Sequence, residues 1–120
     1  MKREINTKFY TFSQNNSGGY FVENDKYGVC EYVIVEAQNA DEANSIFENI
    51  GDEVPGFHKY CSCCGERWHD VDEHDGKNTP SIYSESVFKQ TKSAFRTRCF
   101  IHYYGGEIKE VIFPDEKVNP

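Results

Sequence analysis

Cys30-Glu31-Tyr32-Val33-Ile34-Val35-Glu36-Ala37 carries three consecutive β-branched residues, and Gln38-Asn39-Ala40-Asp41-Glu42-Ala43 follows it directly. The Val33-Ile34-Val35 run has no polar alternation, so it reads as a central strand buried on both faces. Downstream, Ala43, Ile46, Phe47 and Ile50 fall at i, i+3, i+4 and i+7 and make one apolar stripe, which predicts an amphipathic helix packed on the sheet. Asn39 is placed to cap it, with Glu42 three residues on. Asp41 and Glu42 suit its positive end, and Gly51 supplies a stop. A buried strand running into a packed helix puts both element types in one core.

The other strand signals lie on either side. Phe9 to Ser13 and Tyr20 to Glu23 flank Gln14-Asn15-Asn16-Ser17-Gly18-Gly19, a run of turn residues, and predict a hairpin. Asn24-Asp25-Lys26-Tyr27-Gly28 is a second turn. Ala94 to Tyr104 and Ile108 to Phe113 predict another hairpin around Gly105-Gly106. Ser84 to Lys92 fits either a short helix or an extended link, and Pro114 to Pro120 (114–120) reads as a frayed tail. With no repeat and no linker, the expectation is a single α+β domain over 1–120, built on an antiparallel sheet of about five strands.

Composition supports this class. In 120 residues there is no leucine and only one methionine, while nine Phe and eight Tyr join the Val and Ile that suit pleated sheet. A helical bundle and a transmembrane helix are therefore not expected, and Met1 to Asn6 has no apolar signal core. Mean hydropathy is low at −0.74. An aromatic content of 15% is nonetheless too high for a chain that stays unfolded. Twenty acidic against thirteen basic residues give −7, which argues against wrapping long nucleic acid or resting on an anionic membrane.

Residues 52 to 81 have no clear period, and something other than a regular core should organise them. Within them, the loop 57–75 holds Cys61-Ser62-Cys63-Cys64-Gly65-Glu66-Arg67-Trp68-His69-Asp70-Val71-Asp72-Glu73-His74. Cys61, Cys64, His69 and His74 form C-x2-C-x4-H-x4-H. Two thiolates in a tight turn followed by two imidazoles suit a tetrahedral zinc, similar to a zinc knuckle with His in the last place. Four protein ligands leave no open position, so the zinc would be structural and would supply folding free energy to an irregular loop. His58, Cys63 and Cys99 are substitute ligands. The plain alternative is a set of small reduced cysteines, since five of them, three clustered, fit a reducing cytosol. A third reading makes Cys63 a nucleophile activated by His58 or His69. The neighbouring acids Glu66, Asp70, Asp72, Glu73 and Asp75 favour the neutral thiol and disfavour it.

Between Glu85 and Glu107 there is no acid, while Lys89, Lys92, Arg96 and Arg98 all fall inside. Period two puts Phe95, Thr97, Cys99, Ile101 and Tyr103 on one strand face, which reads as core. The other face carries Arg96, Arg98, Phe100, His102 and Tyr104. Guanidinium forks interleaved with rings suit a phosphorylated, planar ligand. The plain alternative pairs these arginines with the helix-region acids Glu42, Glu48, Asp52 and Glu53. Arg67 and Trp68 read either as packing beside the loop or as a cap on a pocket. The chain has no P-loop, no dinucleotide fingerprint and no zincin or serine-hydrolase motif.

Three stretches carry a resemblance: Glu31 to Ala37 through Ala43-Asn44, Cys61-x-Cys63-Cys64-Gly65-x-Arg67-Trp68, and His102-Tyr103-Tyr104-Gly105-Gly106. In these the chain resembles a group of short proteins of tailed bacteriophages. The resemblance implies a phage accessory protein in the cytoplasm of an infected bacterium, where small proteins of this size often counter host defence. The first expectation is a non-enzymatic, zinc-stabilised sponge that holds a small phosphorylated nucleotide signal on the Arg96/Arg98/Phe100/His102/Tyr104 face, with a homo-oligomer interface as one setting. The second is an acidic protein that inhibits a host or defence protein by docking on it. The third, ranked last, is an enzyme acting on nucleotides through His102 or Cys63.

Overall fold

The computed structural model describes residues 6–14, 23–54, 68–82, 85–92 and 97–114, with the backbone of 60–61 and 65–66. Its centre is a four-stranded sheet. β1 (Lys8–Ser13) pairs antiparallel with β2 (Tyr32–Ala37), β2 runs parallel to β7 (Arg98–His102), and β7 turns back into β8 (Ile108–Ile112). The order is β1-β2-β7-β8. Between β2 and β7 lie α1 (Ala40–Asp52) and two short hairpins, β3 (Tyr60–Cys61) with β4 (Gly65–Glu66) and β5 (Ser81–Ile82) with β6 (Glu85–Ser86).

The α+β class therefore holds, and the all-antiparallel sheet does not. Phe9 to Ser13 pairs with β2, from Lys8 against Ala37 to Ser13 against Tyr32. The expected partner strand, Tyr20 to Glu23, falls mostly outside the described residues. β2 and β7 run parallel because about sixty residues, including α1, return the chain to the same end of the sheet. β2 is buried on both faces except at Glu36, as its unbroken apolar run requires.

Two apolar layers follow from the register. Tyr10, Phe12, Val33, Val35 and Ala37 share the front face with α1, where Phe47 stacks on Phe12 at 4.1 Å. Tyr32, Ile34, Cys99 and Ile101 share the back face with Ile82, Val87 and Phe113. The α1 stripe packs as its spacing demands. Asn39 Oδ1 accepts from the Glu42 N–H at 2.8 Å, while the Glu42 carboxylate turns back to the Gln38 N–H. The helix runs one residue past Gly51, which is buried inside it.

Ser84 to Lys92 is neither a plain helix nor a plain link. Beyond Ser84, which lies outside the described residues, it is β6 followed by a 3-10 turn at Val87–Lys89. The tail from 115 onward also lies outside. Among the described residues no helix is long and apolar enough to cross a membrane.

Candidate functional site

The front face of β7 is the expected ligand strand, and it is roofed. Phe100 is 4% and His102 8% exposed, so both rings are interior. The roof is the turn Asn24 to Val29, closed by reciprocal backbone hydrogen bonds between Asn24 and Val29 at 2.8 and 3.0 Å. Gly28 sits in it at φ +68°, and a Cβ there would lie 2.8 Å from His102 Nε2 and 2.7 Å from Ile108 Cγ2. Only glycine allows this backbone to approach so closely in the left-handed region. The Gly28 carbonyl lies 2.8 Å from His102 Nε2. A carbonyl only accepts, so Nε2 carries the proton. Burial pushes the imidazole pKa below its usual 6.5, and the hydrogen bond to Gly28 offsets part of that.

Arg98 is on the same face and is fully engaged. Its guanidinium meets Glu110 at 2.6 Å, Asp25 at 2.9 Å and Glu23 at 3.0 Å, and lies 5.0 Å from the Phe100 ring. Burial works against its charge, but the hydrogen bonds to Glu110, Asp25 and Glu23 hold it protonated. These are not the helix acids that the sequence offered as partners. They come from the roof turn and from β8. Three carboxylates against one guanidinium leave a local excess of two negative charges.

Tyr104 is exposed at the end of the strand and donates to Glu42 at 3.3 Å, while its N–H donates to Glu36 at 2.9 Å. Arg96 lies outside the described residues. A cavity of about 340 Å³ opens beside Arg98, lined by Lys92, Thr97, Arg98, Glu110, Ile112 and Pro114. Lys92 and Arg98 are the cations on its wall among the described residues.

In the cysteine–histidine loop, the β3–β4 register sets Cys61 opposite Gly65 and Tyr60 opposite Glu66. Cys61 and Gly65 therefore flank the connection of a short hairpin, which sets the backbone of Cys61 beside a tight reversal of the chain. Cys63, Cys64, His58 and Arg67 lie outside the described residues. His69 is exposed. The His74 side chain is 96% exposed, in a 3-10 turn with its Nδ1 3.5 Å from Asp72. Among the described residues no group of three or more His, Cys, Asp and Glu side chains is placed to hold a metal.

Trp68 does not cap a pocket: it is fully buried in the front core, its ring 4.8 Å from Phe47. Cys99 and Cys30 are also interior. Burial raises the Cys30 thiol to about 11 and the Cys99 thiol to about 12, so neither is a thiolate at neutral pH.

Sequence reading missed the residues that organise 68 to 77. Asn44 on α1 donates to the Val71 carbonyl at 3.0 Å and accepts from its N–H at 2.9 Å. Glu73 accepts from the Ala40 N–H at the start of α1 (2.9 Å) and from the Tyr10 hydroxyl on β1 (3.2 Å). Lys77 exchanges two backbone bonds with Phe9. These are long-range pairs, and no local pattern marks them.

No curated protein and no solved structure matches the chain. A family model does: residues 7–119, nearly the whole length described above, match the domain of unknown function DUF7296, and the chain belongs to that family.

Proposed function

We propose that the protein is a non-enzymatic accessory factor, of tailed-bacteriophage type, that counters a host or defence protein in the bacterial cytoplasm by docking on it through an acidic surface. The observation that carries this reading is the state of Arg98. The basic group best placed to recognise an anion is surrounded by Glu23, Asp25 and Glu110, and its aromatic neighbour Phe100 is buried. These three carboxylates outnumber Arg98 and the Lys92 on the adjoining cavity wall, in a chain of net charge −7. Such a surface attracts a basic protein face over long range, and the attraction is screened by salt. Buried, protonated Cys30 and Cys99 and a roofed His102 support a non-enzymatic role.

The test is a pull-down of the full chain from bacterial lysate, followed by affinity measurement on the purified pair. Raising the salt from about 0.05 to 0.5 M should weaken a charge-steered complex by about tenfold or more. A complex indifferent to salt overturns the reading.

The cavity beside Arg98, with Lys92 on its wall, favours a second reading: a small anionic nucleotide-type ligand held and released unchanged. Native mass spectrometry of cytosolic protein would then show a nucleotide-sized adduct that is lost on denaturation, with the released ligand chemically unchanged. A structural zinc on Cys61, Cys64, His69 and His74 belongs to either reading, supported by the β3–β4 hairpin register. The same spectra should show one zinc per chain, lost in Cys61→Ser together with a fall in melting temperature. A metal-free, stable protein would remove zinc from both.

A further inference from the structure

The sheet ends in two unlike edges. The outer edge of β1 is closed by the Phe9–Lys77 exchange (2.8 and 2.9 Å) and by the Gln14–Trp68 bridge. β8 has β7 on one side and, among the described residues, no strand on the other. The ladder shows which groups face outward. The Tyr103 N–H donates to the Glu107 carbonyl at 2.8 Å, and the Phe113 N–H donates to the Thr97 carbonyl at 2.9 Å. Antiparallel pairing alternates, so Lys109 and Val111 also bond to β7. The N–H and C=O groups of Ile108, Glu110 and Ile112 point to the open edge.

The side chains of these three residues share the front face. Ile108 is 44% and Ile112 70% exposed, and Glu110 stands between them. Exposed strand edges are commonly guarded by lysine. The one lysine of β8, Lys109, faces the back and lies 5.5 Å from the Phe88 ring, so it does not guard the backbone. Glu110 carries the local negative excess described above, shared with Glu23 and Asp25 around Arg98.

We infer that the open edge of β8 is a docking site for an extended segment of a basic partner protein. The segment adds a fifth strand to the sheet and presents an aliphatic, a cationic and an aliphatic side chain at alternate positions, against Ile108, Glu110 and Ile112. This inference rests on the acidic-docking reading and names its contact. Backbone bonds to the edge supply the affinity, and the alternating side chains supply the choice of partner. Charge complementarity selects this occupant over a second copy of the chain. A two-fold pairing that lays Ile108 on Ile112 of the copy also lays Glu110 on Glu110, with both sets of Glu23 and Asp25 beside them. Like charges directly opposite are destabilising in a sheet.

The probe is a blocked seven-residue peptide that alternates threonine with valine, lysine and valine, titrated into the isotope-labelled full chain by NMR. A second peptide has glutamate in place of the lysine. The amides of Ile108, Glu110 and Ile112 should shift, and the glutamate peptide should bind about tenfold more weakly. Ile112→Pro removes an outward N–H and no β7 bond, so it should also cost about tenfold while leaving the spectrum of the core intact. Equal affinity for the two peptides, or shifts confined to other surfaces, overturns the inference. Concentration-dependent shifts of β8 without peptide overturn it in favour of a second copy. If the peptide leaves β8 untouched while a salt-sensitive cellular complex survives Ile112→Pro, the edge fails and the docking reading stands. If the peptide binds β8 but the cellular complex is indifferent to salt, the docking reading fails and the edge stands.

Discussion

Gly28 shows how much of this fold hangs on one missing side chain. Its φ of +68° is costly for any other residue, and an added Cβ would meet His102 Nε2 at 2.8 Å and Ile108 Cγ2 at 2.7 Å. Gly28→Ala should therefore cost about 2–3 kcal/mol in urea unfolding, from backbone strain plus displacement of the His102 hydrogen bond. Gly106→Ala is the control. Its φ is +100°, but nothing lies within 4 Å of the added methyl, so it should cost only the backbone term of about 1 kcal/mol. Equal costs would show that the roof does not press on β7. Arg98→Met makes a second test in the same place. It leaves Glu23, Asp25 and Glu110 facing one another without a cation. Destabilisation of about 1–2 kcal/mol at low salt should shrink at high salt, because the carboxylates are partly solvated and their repulsion is screened. A loss independent of salt would assign the residue to packing on Phe100 alone.

At the scale of elements, α1 and the strap 68 to 77 form a unit. Glu73 ties the first N–H of α1 to the Tyr10 hydroxyl, placing a carboxylate at the positive end of the helix. Asn44 clamps both polar groups of the Val71 backbone. Asn44→Ala strands both groups beside the core and should cost about 2 kcal/mol, with faster hydrogen exchange at the Val71 amide as its local signature. Unchanged exchange there would mean that Trp68 and Val71 hold the strap by packing alone. None of these ties was legible in the sequence, where the segment suggests a metal loop, a base activating Cys63, and Trp68 as packing or as a pocket cap. What was legible is local or periodic: the Asn39 cap, the Ala43/Phe47 stripe, the two-sided burial of β2 and the β7–β8 turn at Gly105-Gly106. Period two correctly assigned Cys99 and Ile101 to one face and Arg98, Phe100 and His102 to the other. It could not show that a turn seventy residues upstream covers the second face, because alternation gives sides and not neighbours. The parallel β2–β7 pair was hidden for the same reason.

Across the whole molecule, acid acts in two opposite senses. Lowering the pH toward the sequence pI of about 5.0 removes the net charge of −7 and relieves self-repulsion, which favours the folded chain. His102 opposes this. Buried under Gly28, it titrates below its ordinary 6.5, so between those two values the unfolded chain binds a proton that the folded chain refuses. The stability it contributes is complete above about 6.5 and is lost as the pH falls through that window, with a slope of at most about 1.4 kcal/mol per pH unit for one proton. The two effects overlap, so the wild-type curve alone does not separate them. His102→Gln does. Its amide keeps a donor for the Gly28 carbonyl and the charge of every other group is unchanged, so self-repulsion cancels in the difference between the two proteins. That difference should move in favour of the glutamine variant as the pH drops from 7.5 to 5 in urea unfolding series. Parallel curves would mean that His102 takes up its proton as readily in the folded chain as in the unfolded one, and that the roof over β7 opens to water far more readily than its hydrogen bonds imply.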